Sequence, residues 1–137
     1  MESTGKVIHY TKIPAQEFGP TAPGAAIRWL VDDDHDGAPT FSLRMIEIQP
    51  GGSSPQHTHP YEHENFIVEG QGKLLVNGEW RELNVGDVAY VPAGMLHQYV
   101  NTGDAVFKFL CAIPVKALQG QSQSAKKDDL PLKPPAC

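Results

Sequence analysis

The sequence predicts an all-β protein built as a single jelly-roll β-barrel. Its 137 residues include 13 glycines and 12 prolines, which divide the chain into short apolar runs without any long segment of helical periodicity. These runs number about ten, close to the number of strands in a jelly-roll barrel. Because 40% of the residues are hydrophobic, a chain of this length can bury one core, and we expect one domain.

The candidate strands are short runs rich in apolar and β-branched residues, and turn-forming residues bound them. They cover residues 6–10, 26–31, 41–48, 56–59, 64–69, 72–76, 79–83, 87–91, 97–100 and 105–113. Asn77 and Gly78 separate two of these runs, and Asn-Gly is the favoured two-residue hairpin turn because both positions tolerate a positive φ. The acidic run 32–36 lacks the spaced ligands and closing Glu of a helix-flanked calcium loop, so we expect a solvated turn there.

Composition also limits the partners and the location of the protein. The net charge of −5 argues against a nucleic-acid partner, which requires a basic face. The N-terminal residues lack the apolar segment of a signal peptide, and no run approaches the ~20 apolar residues that span a membrane. Cys111 and Cys137 do not form a disulfide framework. We therefore expect a cytoplasmic protein with reduced cysteines and no membrane partner.

Two parts of the chain differ in composition. The barrel domain is expected over residues 1–116. From residue 117 the sequence is polar and rich in proline, without periodicity. Such a composition predicts a flexible tail over residues 117–137.

Histidines are concentrated in residues 51–70, a pattern that indicates a metal site. His57 and His59 are two residues apart, so on an extended strand both imidazoles leave the same face, with Cα atoms about 6.5–7 Å apart. His63 follows a Pro-Tyr pair that can turn the chain, and a third imidazole can therefore return to the same point. A surface loop rich in histidine would explain one His-x-His pair equally well. A second histidine-bearing stretch, with His97 between a Pro-x-Gly turn and a strand-like run, favours the metal site.

These two stretches resemble the two motifs of the cupin superfamily. The first motif is matched at every spacing by Gly51, His57, His59, position 63 and Gly70, and the second by Gly86, Pro92, Gly94, His97 and Asn101. Only 15 residues, 71–85, separate them, which is similar to small bacterial single-domain cupins. The resemblance covers residues 51–101 and implies the cupin jelly-roll barrel.

The resemblance also implies the metal ligands, with one departure. Most cupins have Glu at the third ligand position, whereas this chain has His63. The implied ligands are therefore His57, His59, His63 and His97, with Glu64, reached through a β-bulge, as the alternative third ligand. Small cupins with such a stretch resemble a four-histidine manganese or iron subgroup, so we expect one divalent transition metal per chain, manganese or iron first. Imidazole also binds zinc, nickel and copper.

Alternation along the strands predicts which side chains share the cavity with the ligands. Tyr99 is in step with His97, and Asn65 and Ile67 are in step with His63. Phe107, Phe109 and Cys111 share one face of the last strand. In the four-histidine cupins that this chain resembles, a Phe-Leu-Cys stretch places the thiol near the metal, although a free cysteine is more often a small buried hydrophobe.

The strand over residues 41–48 has two possible orientations. Either Arg44 and Ile46 face inward, or Leu43 and Met45 do. An inward Arg44 would bind an anionic group of the substrate. An outward Arg44 would face solvent or a dimer interface.

Three functions follow from these features. The first is a metal-dependent oxidoreductase of the dioxygenase type that oxidises a small aromatic or alkenyl molecule, with Tyr99 and Cys111 as candidate catalytic residues. The second is a Lewis-acid isomerase, epimerase or decarboxylase for a sugar or keto acid, and the third is a metal- or ligand-binding module without turnover. Four imidazoles and a thiol favour the first. A homodimer is expected, because in similar cupins N-terminal strands pair with a second protomer.

Overall fold

A computed structural model describes residues 3–116, within which nine antiparallel strands form two sheets. The larger sheet has the order β1-β2-β3-β9-β4-β7 and the smaller one β6-β5-β8. The all-β jelly-roll prediction is confirmed. The predicted tail over 117–137 lies outside the described residues. The strands are β1 (Gln16–Glu17), β2 (Ala25–Val31), β3 (Phe41–Ile48), β4 (His63–Glu69), β5 (Gln71–Val76), β6 (Glu79–Asn84), β7 (Val88–Val91), β8 (Gln98–Asn101) and β9 (Phe107–Pro114).

The core lies between the two sheets because one face of each inner strand is apolar. Strand β9 shows the pattern most clearly, since buried and half-buried residues alternate along its whole length. Its Phe109 stacks on Tyr99 of β8 with ring centroids 4.5 Å apart, and so joins the sheets. The side chains of Ile46 and Ile67 are fully buried beside them.

Three segments differ from the sequence-based expectation. The strand over residues 6–10 is wrong: residues 6–9 form no strand, and from Tyr10 the chain forms a 3₁₀-helix (Tyr10–Lys12), which His9 caps by accepting a hydrogen bond from the Thr11 N–H. The strand over 56–59 is reduced to a single bridge between His57 and His97. The acidic run forms one α-helical turn, α1 (Asp33–Asp36), because Asp32 caps it by accepting a hydrogen bond from the His35 N–H at 2.7 Å.

The N-terminal segment docks on the outer face of the larger sheet through one tyrosine. The Tyr10 ring lies between two cations, with its centroid 5.5 Å from the Arg28 guanidinium and 5.1 Å from the Lys108 ammonium. Lys108 also donates a hydrogen bond to the Tyr10 hydroxyl at 2.8 Å. Lys108 therefore belongs to the outer surface and not to the barrel interior.

A hairpin turn and the side chain of Asn101 fix the backbone around the site. The Asn77-Gly78 hairpin turn is confirmed, with φ angles of 52° and 76°. Asn101, the last residue of the second histidine motif, is a structural link: its Nδ2 donates to the carbonyls of Ile48 and Ala105 at 2.8 Å each. Its Oδ1 accepts from the N–H of Gly103 at 2.8 Å. The side chain thus joins three backbone segments at the end of the barrel.

We expect Asn101→Ala to destabilise the barrel by about 2–4 kcal/mol, because it removes three hydrogen bonds and leaves buried backbone groups without partners. Chemical denaturation measures the loss. Asn84→Ala, at an exposed position in β6, is the matched control and should change the free energy of unfolding by less than about 0.5 kcal/mol. Equal losses in the two variants would contradict the assignment of Asn101 as a link.

Candidate metal centre

Three imidazoles meet inside the barrel, and one nitrogen of each lies within 4.8 Å of the other two. They belong to His57, His59 and His97. The backbone fixes two of them, because His57 and His97 exchange a pair of N–H···O hydrogen bonds of 3.1 Å each. This bridge ties the irregular segment before β4 to the start of β8. Among the described residues, this trio is the cluster of His, Cys, Asp or Glu that can hold a metal ion.

A fourth imidazole borders the trio. His63 is the first residue of β4 and is fully buried. Its ring centroid lies 5.1 Å from that of His59 and 4.9 Å from that of His97. Glu64, the alternative third ligand, is exposed and pairs with Tyr90 and Ala112 on the outer face of the sheet. Strand alternation therefore directs the imidazole inward and the carboxylate outward.

The buried nitrogens fit a divalent transition metal. The Nε2 atoms of His59, His63 and His97 are buried and have no hydrogen-bond partner, although buried polar atoms normally have one. Burial first, and then the neighbouring imidazoles, lower the pKa of His59 to about 2. Burial lowers the pKa of His97 to about 4. Both rings are thus neutral at pH 7, the form in which imidazole binds a metal.

Neighbouring groups orient two of these rings. The Nδ1 of His97 lies 2.9 Å from the carbonyl of Met95. This nitrogen therefore carries the proton, and the lone pair of Nε2 faces the cluster. Tyr61 stacks on His59 with ring centroids 4.8 Å apart and an interplanar angle of 7°. The sequence predicted neither the Met95 carbonyl nor the Tyr61 ring as part of the site. The two-residue spacing from His59 could have indicated Tyr61, but a backbone carbonyl such as that of Met95 leaves no signal in the sequence.

Arg44 has the inward of its two possible orientations. Its side chain is fully buried, and Nη2 lies 2.7 Å from the Sγ of Cys111. That sulfur lies 3.7 Å from the Nδ1 of His63. The ring of Trp29, which sequence reasoning did not single out, covers the guanidinium at 5.6 Å. Arginine, thiol and imidazole thus form a continuous contact beside the trio.

The remaining predicted cavity residues occupy two environments. The hydroxyl of Tyr99 donates to the Oδ1 of Asn65, and the Nδ2 of Asn65 donates to the Leu110 carbonyl at 3.2 Å. The Tyr99 ring lies 6.0 Å from that of His97. Four apolar residues are fully buried in the hydrophobic core, namely Ile46, Ile67, Phe107 and Phe109. The side-chain oxygen of Ser42, which was not predicted, is buried without a hydrogen-bond partner.

A barrel with histidines gathered inside it defines a cupin with a candidate metal centre. The chain belongs to the Cupin_2 family, whose Cupin domain matches residues 44–113. The predicted cupin superfamily is therefore confirmed. In the described part of the chain, no helix has the length and apolar character needed to cross a membrane.

Solved structures show the same barrel. The polyketide cyclase RemF from Streptomyces resistomycificus superposes with a TM-score of 0.75 and 32% identity, and the match covers 82% of this chain and 80% of that one. A predicted oxalate decarboxylase from Thermotoga maritima superposes with a TM-score of 0.69. Its 23% identity, over 80% of this chain and 98% of that one, shows the fold alone.

Curated relatives include two longer proteins. Oxalate decarboxylase OxdC of Bacillus subtilis is 34% identical over 77 residues, which cover 52% of this chain and 20% of that protein. The tetracenomycin polyketide synthase protein TcmJ of Streptomyces glaucescens is 32% identical over 82 residues, or 59% of this chain and 55% of that protein. The chain thus spans between one fifth and about half of the length of these relatives.

We expect the chelated protein to lose stability as the pH falls below 6.5. His59 and His97 have the ordinary pKa of 6.5 in the unfolded chain and pKa values of about 2 and 4 in the folded one. The unfolded state therefore binds more protons between pH 6.5 and pH 4, and stability falls as the pH is lowered through this window. Thermal unfolding in excess chelator measures it.

His97→Gln provides the control for this pH dependence. This variant should show a smaller fall in Tm over the same window, since one of the two groups is removed. A Tm in the wild type that does not change between pH 7 and pH 4.5 would contradict the neutral, buried state of the imidazoles.

Proposed function

We propose that this chain is a metal-dependent enzyme acting on a small oxygen-bearing organic molecule, and that His57, His59, His63 and His97 together hold one divalent transition metal. The observation that supports it most is the set of buried Nε2 atoms without hydrogen-bond partners, on three adjacent imidazoles inside the barrel. Leaving such groups unpaired costs about 1–3 kcal/mol each. Metal coordination would offset that cost.

The donor set indicates the chemistry. With neutral imidazoles as the only ligands, the ion keeps its full positive charge and supplies, when bound, a strong Lewis acid for a carbonyl or enol oxygen. Arg44 adds a buried cation to the same interior. Asn65 and Tyr99 hydrogen-bond to each other and hold the polar wall in one arrangement. Such an interior favours a substrate whose oxygen gains negative charge during the reaction.

We therefore favour a Lewis-acid reaction of the cyclase type on a polyketide-like molecule. In such a reaction an enolisable carbon attacks a carbonyl of the same molecule, so negative charge develops on oxygen. The likeness to RemF at 32% identity over 80% of its chain, together with that to TcmJ, supports this substrate class. OxdC, of which the chain covers only 20%, supports a decarboxylase less strongly.

A dioxygenase-type oxidoreductase is the second candidate. It is favoured by one observation, the Cys111 sulfur 3.7 Å from His63, which places an oxidisable thiol beside the imidazoles. This function requires a redox-active ion such as manganese, iron or copper, since zinc has no redox chemistry.

Metal identity separates the two candidates. Elemental analysis with electron paramagnetic resonance is the measurement, on protein purified without added metal or chelator. Zinc or nickel at about one per chain, with ring formation from a linear poly-β-carbonyl substrate and no oxygen consumption, supports the cyclase. Manganese or iron with substrate-dependent oxygen consumption supports the oxidoreductase. A protein that takes up no metal would contradict both.

We predict that His63→Ala lowers the metal content several-fold while the far-UV spectrum stays unchanged, because the ring contributes a ligand and the core lies elsewhere. Even the loss of a group that only orients a ligand typically costs about 10–100-fold in metal affinity. Glu64→Ala is the matched control at the neighbouring, exposed position and should keep its metal. The reverse result would show that Glu64 is the third ligand.

We also propose that the chain forms a homodimer through the outer face of β4 and β7. Phe66 is 47% exposed, and its cross-strand neighbour Val88 is 74% exposed. Tyr90, at 58% exposure, extends the same surface along β7. β7 is an edge strand, so two copies can pair this surface with itself about a two-fold axis.

Phe66→Asp should shift the protein from dimer to monomer in analytical ultracentrifugation at micromolar concentration, because it buries a charge in the proposed interface. Trp80→Asp removes an aromatic residue that is 45% exposed on the other sheet and should leave the dimer intact. A wild-type monomer, or a Phe66→Asp dimer, would rule out this interface.

A further inference from the structure

A cavity of about 530 Å³ opens where the edges of the two sheets face each other, between β6 and β7. We call it the seam cavity. Its floor is apolar, and its rim carries Arg81, Asp87 and Tyr90; the floor residues are Leu74, Val76, Leu83, Ala89 and Met95. The volume falls in the range of small-molecule sites, about 300–1,000 Å³.

Strand register places this cavity directly beside the histidine cluster. Leu75 and Gln98 form the last pair between β5 and β8; Val76, which lines the cavity, follows Leu75, and His97 precedes Gln98. Across the opening, Ala89 pairs with Asn65. Paired Cα atoms in antiparallel strands lie about 4.5–5.5 Å apart. The cavity residues Val76 and Ala89 therefore lie on strands that neighbour those leading to His97 and His63.

Met95 connects the cavity to the cluster most directly. Its side chain lines the cavity, while its carbonyl accepts the hydrogen bond from the Nδ1 of His97 at 2.9 Å. The Met95 sulfur also accepts from the N–H of Asn77 at 3.1 Å, which links the β5–β6 hairpin to the same wall. The residue that orients His97 thus also forms the floor of the cavity, and a molecule seated there lies next to the cluster.

The lining indicates the occupant. Aliphatic side chains and a methionine form a floor that suits a flat apolar body, and Met adapts its shape to irregular ligands. Tyr90 at the rim offers an aromatic face. Three charges are exposed at the rim, the cation of Arg81 and the carboxylates of Glu82 and Asp87, and their net negative charge disfavours an anionic ligand. At the inner end, the imidazole cluster requires an oxygen donor.

We propose that the seam cavity binds the apolar, ring-bearing body of the substrate and that the substrate enters sideways between β6 and β7, with its ketone or enol oxygen presented to the histidine cluster. This rests on the proposed function, because the oxygen needs a metal as its partner. The occupant is a flat, uncharged, oxygenated molecule of about two to four fused rings. The proposed dimer surface borders the mouth of the cavity at Val88 and Tyr90, so the second copy lies near the entry.

The test is a titration of the as-isolated protein with 1,8-dihydroxyanthraquinone, which reports binding by fluorescence and metal contact by a shift of its absorption band. Ala89→Leu and Ala89→Phe fill the cavity in two steps. Affinity should fall in that order, by about tenfold or more for Ala89→Phe, while metal content stays unchanged. Val85→Phe, in the exposed β6–β7 turn, is the control of equal bulk and should bind as the wild type does.

The outcomes separate this proposal from the proposed function. If the wild type shows no saturable binding up to about 100 μM, or if both Ala89 variants bind equally well, the seam cavity is not the binding site, whatever the metal content. If filling the cavity weakens binding but His97→Gln, which removes a metal ligand, leaves the affinity and the absorption band unchanged, the cavity assignment stands and the metal-dependent function fails. Should Ala89→Phe not fold, the milder Ala89→Leu decides the result.

Discussion

The structure depends on holding three buried imidazole nitrogens without hydrogen-bond partners inside the barrel. Three buried Nε2 atoms lack partners, and each costs free energy that the rest of the fold must offset. The His57–His97 backbone bridge fixes two of the rings, and the first residue of β4 supplies another. The strands around the cluster therefore hold the imidazoles in place without help from an ion. A bound ion would stabilise the folded state further by mass action.

Strand register divides the interior into a polar and an apolar layer. Arg44, Cys111 and Asn65 face one another across β3, β9 and β4. The same register aligns Ile46, Phe109 and Ile67, each two residues away from the polar residue on its strand. Since side chains two apart share a face, both layers point inward. The apolar layer supplies the packing energy, and the polar layer above it borders the histidine cluster.

Much of this could be predicted from the sequence, and the failures have physical causes. The strand over 41–48 was predicted with its observed bounds because apolar residues occur on both of its faces and turns bound it. That same property hid the orientation of Arg44, since Leu43 and Met45 suit an interior as well as Ile46 does. The strand over 6–10 failed because His9 caps a 3₁₀-helix and Tyr10 docks on Arg28 of the sheet, and a local apolar run does not record these contacts. The seam cavity and the Met95 carbonyl depend on how two sheets meet, and local patterns do not record that.

The electrostatic field inside the barrel connects the polar layer and the histidine cluster to the proposed chemistry. Burial, the other imidazoles and Arg44 all lower the pKa of His59, so this ring is neutral at pH 7 and free to bind a cation. A bound cation, together with the buried guanidinium, makes the interior strongly positive, and no ligand carboxylate reduces that charge, because Glu64 lies on the outer face. A neutral substrate enters such a site without an electrostatic penalty and gains stabilisation only when its oxygen becomes negative. In the proposed four-histidine coordination, His63 would replace a carboxylate ligand, and the site would favour reactions that pass through an enolate-like state over simple binding of the ground state.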